Sequence, residues 1–227
     1  MRLIGASMSS PITAVRVAAV AAAALLPLAA GAAEPPNLAP AKARVTAYYA
    51  SGAWDRDVRA RLAAARAYVD ARVRAGARKP AVVLDIDDTS LSDYGYEKAH
   101  DYGYDARSYD ADVNAERFPA IAPTLAFVRH VEAEHVAVFF VTGRRAPELR
   151  VTHLNLVRAG YPPYAGLFLR PVSDHTGSVI PFKSHARAEI QGRGYTVLES
   201  IGDQWSDLRG GHAERTTKLP NPMYLIP

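Results

Sequence analysis

An apolar run, Ala81-Val82-Val83-Leu84, ends abruptly in Asp85-Ile86-Asp87-Asp88-Thr89. Side chains two apart on extended chain point the same way, so Asp85 and Asp87 can share one metal ion or divide the roles of nucleophile and general acid–base, while Asp88 points elsewhere. A second apolar run, Val138 to Val141, ends in Thr142-Gly143-Arg144. Thr142 offers an O–H donor, and Gly143 lets backbone N–H groups approach an oxyanion closely. Lys183 stands at the start of a helix expected over 184–192, where the helix dipole also favours an anion. A third run, 195–201, closes on Asp203 and Asp207, two carboxylates that one helical turn aligns.

The elements that position these groups follow from the pattern. Short apolar runs bounded by turn residues are strands buried on both faces, and ligands of parallel sheets bind beyond the carboxyl ends of their strands. Strands are expected at 81–86, 136–141, 166–169 and 195–201. Between Trp54 and Lys79, Val58, Leu62, Ala65, Val69 and Val73 recur at helical spacing among seven arginines. That is an amphipathic helix with a solvated basic face, stopped by Gly76 and Pro80. A helix over 124–134 follows a tyrosine-rich stretch, Tyr94 to Tyr109, and Pro35 to Pro40 reads as a linker.

Composition bounds the rest. Residues 1–33 carry Arg2 and Arg16, no acid, and an apolar stretch from Val17 to Ala33 that ends in small residues, the pattern of a cleaved secretory signal peptide. Its loss lowers the formal charge of +4 to +2. The arginine-rich helix has only Trp54 and Tyr68 as aromatic residues and no interleaved stacking set, so no nucleic-acid polymer is expected as partner. The chain contains no cysteine, which excludes disulfides, a thiolate nucleophile, cysteine-ligated zinc and a lipidated-cysteine anchor. His130 and His135 do not share a helix face, and neither a Walker loop nor a G-x-S-x-G elbow occurs.

An acidic strand end, a Thr-Gly strand end, a lysine at a helix start and a further acid pair together resemble the haloacid dehalogenase-like phosphohydrolases. Leu167-Phe168-Leu169-Arg170, Phe182-Lys183-Ser184 with Arg187, Gly202 to Leu208 and Lys218-Leu219-Pro220-Asn221-Pro222-Met223-Tyr224 narrow the resemblance to the acid phosphatase subfamily (IIIB), which includes plant vegetative storage proteins and bacterial secreted acid phosphatases. The resemblance implies a Rossmann-like α/β fold, a parallel sheet flanked by helices with a small helical cap inserted after the first strand. The expected organisation is a signal peptide over 1–33, a linker and N-terminal segment over 34–47, and a phosphatase domain over 48–227, the stretch that the resemblance covers, with a cap at about 90–120. The cap tyrosines either stack on the organic part of a substrate or pack the cap against the core.

The expected activity is magnesium-dependent hydrolysis of small phosphomonoesters in the periplasm or outside the cell, without a stable membrane anchor. Asp85 is the expected nucleophile, and Asp87 the acid–base. Thr142, Gly143 and Lys183 hold the phosphate. Asp85, the Asp87 carbonyl and Asp203 surround Mg2+, with Asp207 either a direct ligand or standing behind the ligands. Phosphotransfer through the same intermediate, or a non-catalytic storage protein of the same fold, are the alternatives, and the oligomeric state is left open.

Overall fold

The computed structural model describes residues 35–226; the leader expected over 1–33 lies outside the described residues. The chain divides after Pro36, and the fold is that of the unit from Asn37 onward. Strands β1 (Pro80–Leu84), β2 (Ala137–Arg145), β3 (Gly166–Arg170), β4 (Thr196–Gly202) and β5 (Arg215–Lys218) form one sheet in the order β3-β2-β1-β4-β5, with every neighbouring pair parallel. The helices are α1 (Leu38–Ala50), α2 (Ala53–Arg74), α3 (Tyr94–Ala99), α4 (Ala106–Asn114), α5 (Ala122–Ala133), α6 (Leu149–Arg158) and α7 (Ile180–Gly192).

Alternation along the central strand builds two cores. Val82 and Leu84 of β1 pack with Val58, Leu62 and Val69 of α2 and with Phe127 and Val131 of α5. Ala81 and Val83 pack on the opposite face with Ala186 and Ile190 of α7. A strand covered on both faces must be apolar throughout, which is why β1 shows no polar alternation. Helices α3 and α4 fall between β1 and α5, where the cap was expected, and Tyr96 and Val113 anchor them to the larger core.

Several elements differ from the sequence reading. Residues 38–47, placed in a linker and N-terminal segment, belong to α1, which runs on to Ala50. Asn37 Oδ1 accepts the Ala39 N–H at 2.9 Å, and Pro40 falls in the first turn, where a missing N–H leaves no helical bond unmade. Strand β2 runs on through Thr142-Gly143-Arg144 because its pairing with β3 resumes at Arg145 after a register shift, a bulge that a polar sequence does not advertise. Helix α7 starts at Ile180, since Pro181 suits a first turn. Strand β5 has no apolar run at all and is held as an edge by its pairing with β4.

That edge contains a buried acid. Glu199 of β4 is fully buried; its Oε1 accepts from Thr217 Oγ1 at 2.5 Å, while Oε2 makes no hydrogen bond and has Arg215 Nε at 3.8 Å. Burial pushes its carboxyl from 4.5 up to about 7, against the smaller opposing effects of Thr217 and Arg215. Between these two values the unfolded chain releases the proton and the native chain keeps it, so stability falls as pH rises and the loss is complete above about 7. The loss is on the order of 3 kcal/mol. Glu199→Gln removes it: urea unfolding at pH 5 and pH 8 should show the wild type losing more stability than the variant over that interval. Parallel losses in the two proteins would refute this account.

Candidate active site

The carboxyl ends of β1, β2 and β4 open into a cavity of about 550 Å3. Asp85 follows β1 directly, its N–H donating to Ile201 O of β4 at 2.9 Å, so the sheet fixes its backbone. Lys183, in the first turn of α7 and buried, reaches Asp85 Oδ1 at 2.5 Å and Asp207 Oδ1 at 2.6 Å. Burial opposes the charge of the Lys183 ammonium, but the Asp207 and Asp85 carboxylates outweigh it and raise its pKa above the ordinary lysine value. Burial drives Asp85 the other way, well above the usual carboxylate range; Lys183 offsets part of this, and the charges of Asp207, Asp203 and Asp87 add to it.

Asp87 lies two residues on, beyond the strand, and faces a different cation. Arg144 Nη2 and Nε donate to Asp87 Oδ1 at 2.6 and 3.0 Å, and Nε also lies 3.1 Å from Oδ2. The β2 bulge aims Arg144 inward. The Arg144 N–H donates to Thr142 Oγ1 at 3.1 Å, its guanidinium lies over the Phe118 ring, and the side chain is buried. Asp88 takes a backbone φ of 51°, accepts the Asp93 N–H at 3.0 Å and stays off the cavity wall, as its intermediate position suggested.

Asp203, just past β4, accepts from Thr89 Oγ1 on Oδ1 and from Gln204 Nε2 and Asn221 Nδ2 on Oδ2, at 2.9, 2.7 and 2.8 Å. Burial pushes its carboxyl up to about 6, Asp207 adding to the shift and the three donors resisting it. Asp207 ends a short 3-10 turn, Trp205–Asp207, and its Oδ2 accepts the Gln204 N–H at 2.8 Å. Arg187 clamps the same loop through the carbonyls of Asp207, Arg209 and Gly211. One oxygen each of Asp85, Asp203 and Asp207 lies within 4.8 Å of the others. Three buried carboxylates with such spacing suit a hard divalent cation, which would oppose the upward shifts of Asp85 and Asp203. Asp85 Oδ2 and one lone pair of Asp203 Oδ1 accept no hydrogen bond from a described group, whereas both oxygens of Asp207 do.

Asp85, Asp87, Gly143, Lys183, Asp203 and Asp207, all singled out in the sequence, line this cavity. Thr142 lies behind it, fully buried in the bulge. The close approach expected at Gly143 is not a demand of the protein itself: an added Cβ would meet only Val179 Cγ1, at 3.8 Å. The tyrosines divide by position. Tyr94 stacks on Tyr49 and Tyr96 is buried against Tyr109, whereas Tyr102 and the exposed Tyr104 line the cavity; Tyr109 also lines it, donating to Asp93 Oδ2 at 2.7 Å. Arg144, Thr89, Gln204 and Asn221 carried no assigned role in the sequence. Their signal was adjacency to assigned residues, and for Asn221 its place in the Lys218–Tyr224 string.

The central acid-tipped strand with its helical cap defines a haloacid dehalogenase-like α/β fold. It is shared with the Class C acid phosphatase from Bacillus anthracis at a TM-score of 0.68 and 21% identity, over 82% of this chain and 86% of that one. A family model described as HAD superfamily, subfamily IIIB (acid phosphatase), matches residues 7–227, and the chain belongs to that family. It is 38% identical over 154 residues to the stem 28 kDa glycoprotein of Glycine max, covering 65% of this chain and 61% of that protein. It is 36% identical over 148 residues to acid phosphatase 1 of Solanum lycopersicum, covering 63% and 58%. It is 30% identical over 149 residues to vegetative storage protein 1 of Arabidopsis thaliana, covering 64% and 55%. The matched stretch thus spans little more than half the length of these relatives.

Gly202 shows how tightly the acids are set. A Cβ there would lie 2.3 Å from Asp207 Cβ and Oδ2, so the last residue of β4 has no side chain because Asp207 occupies that space. Gly202→Ala should cost about 2 kcal/mol through overpacking, read by urea unfolding. An unchanged midpoint would show that the loop yields freely.

Proposed function

We propose that the chain hydrolyses small phosphomonoesters through an aspartyl phosphate on Asp85, with magnesium as cofactor. The observation that carries this reading is the arrangement of Asp85: it lines the cavity, and Lys183 takes its Oδ1 while Oδ2 accepts from no described group and is available as nucleophile. Asp85 Oδ2 attacks phosphorus as the bond to the leaving oxygen breaks, and Asp87 gives that oxygen a proton. Water then attacks the phosphoryl group, Asp87 takes its proton back, and the bond to Asp85 breaks to release phosphate. The Arg144 fork holds Asp87 more tightly by Oδ1 than by Oδ2, which makes Oδ2 the oxygen to carry the proton.

Lys183, the Gly143 amide and the Thr142 hydroxyl hydrogen, which its acceptor bond to Arg144 leaves uncommitted, would steady the phosphoryl oxygens. Mg2+ held by Asp85, Asp203 and the Asp87 carbonyl would neutralise the acids against an anionic substrate, with Asp207 fixing Lys183. Tyr102, Tyr104, Leu225 and Ile226 give the cavity an apolar side suited to an organic group on the phosphate. The presence of Asp85 favours turnover over storage, and the same intermediate would pass to an added alcohol if the protein is a phosphotransferase.

Asp85→Asn should retain the fold while lowering kcat by about a thousandfold or more, because an amide is a poor nucleophile. Asp87→Asn should slow alkyl phosphates more than aryl phosphates, whose leaving groups need less protonation. Assays of the purified variants on both substrate types check this, and substantial turnover by Asp85→Asn would remove it as nucleophile.

Export to the periplasm or the medium is part of the proposal. It rests on the Arg2, Arg16 and Val17–Ala33 pattern, and no helix among the described residues is long and apolar enough to cross a membrane. N-terminal sequencing of the exported protein should begin at Ala33 or Glu34, whereas an intact Met1 on membrane-bound protein would reverse it.

A further inference from the structure

After β5 the chain folds back over the acids as a strap, residues 219–226. Leu219 N–H donates to Gly202 O at 2.8 Å, and Trp54 Nε1 donates to Pro220 O at 2.9 Å, pinning its start. Its next residues act on Asp203. Asn221 Oδ1 accepts the Met223 N–H at 2.8 Å, and Gln204 Oε1 accepts the Ile226 N–H at 3.1 Å. With both amide oxygens turned to the strap's own backbone, both NH2 groups must face Asp203, where they meet the same oxygen, Oδ2.

A carboxylate oxygen has two lone pairs, and both on Oδ2 are therefore occupied. Oδ1 gives one to Thr89 and retains one. Asp203 is 1% exposed, so water does not compete for these bonds. Such a carboxylate can bind a cation through a single oxygen and cannot chelate it. That distinction separates two ions: Ca2+ takes six to eight oxygens and readily accepts bidentate carboxylates, whereas Mg2+ demands a compact octahedron.

The geometry points to Asn221 and Gln204 as positioning residues that set cation selectivity: by restricting Asp203 to one donor oxygen they disfavour calcium relative to magnesium. This rests on the acid cluster being the cation site of the proposed phosphatase. Asn221→Ala frees a lone pair of Oδ2, and Gln204→Met frees the other at nearly constant side-chain length.

Titration calorimetry with MgCl2 and CaCl2 on purified wild type and both variants reads the effect without catalysis. The ratio of calcium to magnesium affinity should rise tenfold or more in either variant. Gln204→Met, which leaves Asn221 in place, carries the test if Asn221→Ala does not fold. An unchanged ratio in folded variants that still bind Mg2+, or an equal loss of affinity for both ions, would overturn the selectivity role and leave the cation site standing. A wild type that binds neither ion would overturn both.

Discussion

The Lys183 ammonium between Asp85 and Asp207 is the contact on which the site depends. Carboxylates gathered at one sheet mouth repel each other and lose hydration, and each would shed its charge unless given partners. Lys183 supplies a charge to two of them from a helix that packs beneath the sheet. Arg144 does the same for Asp87, and neutral donors from Thr89, Gln204 and Asn221 do it for Asp203. The partners leave different atoms free: Asp85 keeps Oδ2 and Asp203 one lone pair of Oδ1 without a described donor, while both oxygens of Asp207 are engaged.

The sheet makes these pairings possible by bringing distant segments to one edge. Asp85 takes its backbone bond from β4, Asp87 its cation from β2, and Asp203 its last donor from beyond β5. Each approach is close enough to dictate small local features. The bulge after Thr142 turns Arg144 inward, the bare Cα of Gly202 admits the Asp207 side chain, and Arg187 fastens the loop that carries Asp207 by three carbonyls.

What was legible in the sequence was whatever repeats or stands out locally. Strand β1 is apolar throughout and β4 carries enough apolar residues, Val197, Leu198 and Ile201, to be read as a strand despite Glu199, and acids at their ends marked the mouth. Lys183 was legible because it lies close to a helix start, although the helix begins at Ile180, before the lysine and not after it. Strand β5 was not, because an edge held by backbone pairing needs no apolar residues. Helix α1 was hidden by prolines that suggest a linker but fit a first turn. Arg144 and Asn221 are common polar residues whose roles arise from tertiary contact with Asp87 and Asp203, 57 and 18 residues away, and no local pattern encodes such a meeting.

The indole of Trp54 bonds to the strap, and the chain has one other tryptophan, Trp205, half-exposed between Asp203 and Asp207. The two natural fluorophores thus sit in unlike surroundings, Trp54 shielded and Trp205 half in water. Their emission should differ in wavelength for that reason. The molecule therefore reports optically on two separate events, seating of the strap through Trp54 and rearrangement of the acidic loop through Trp205, with no label attached.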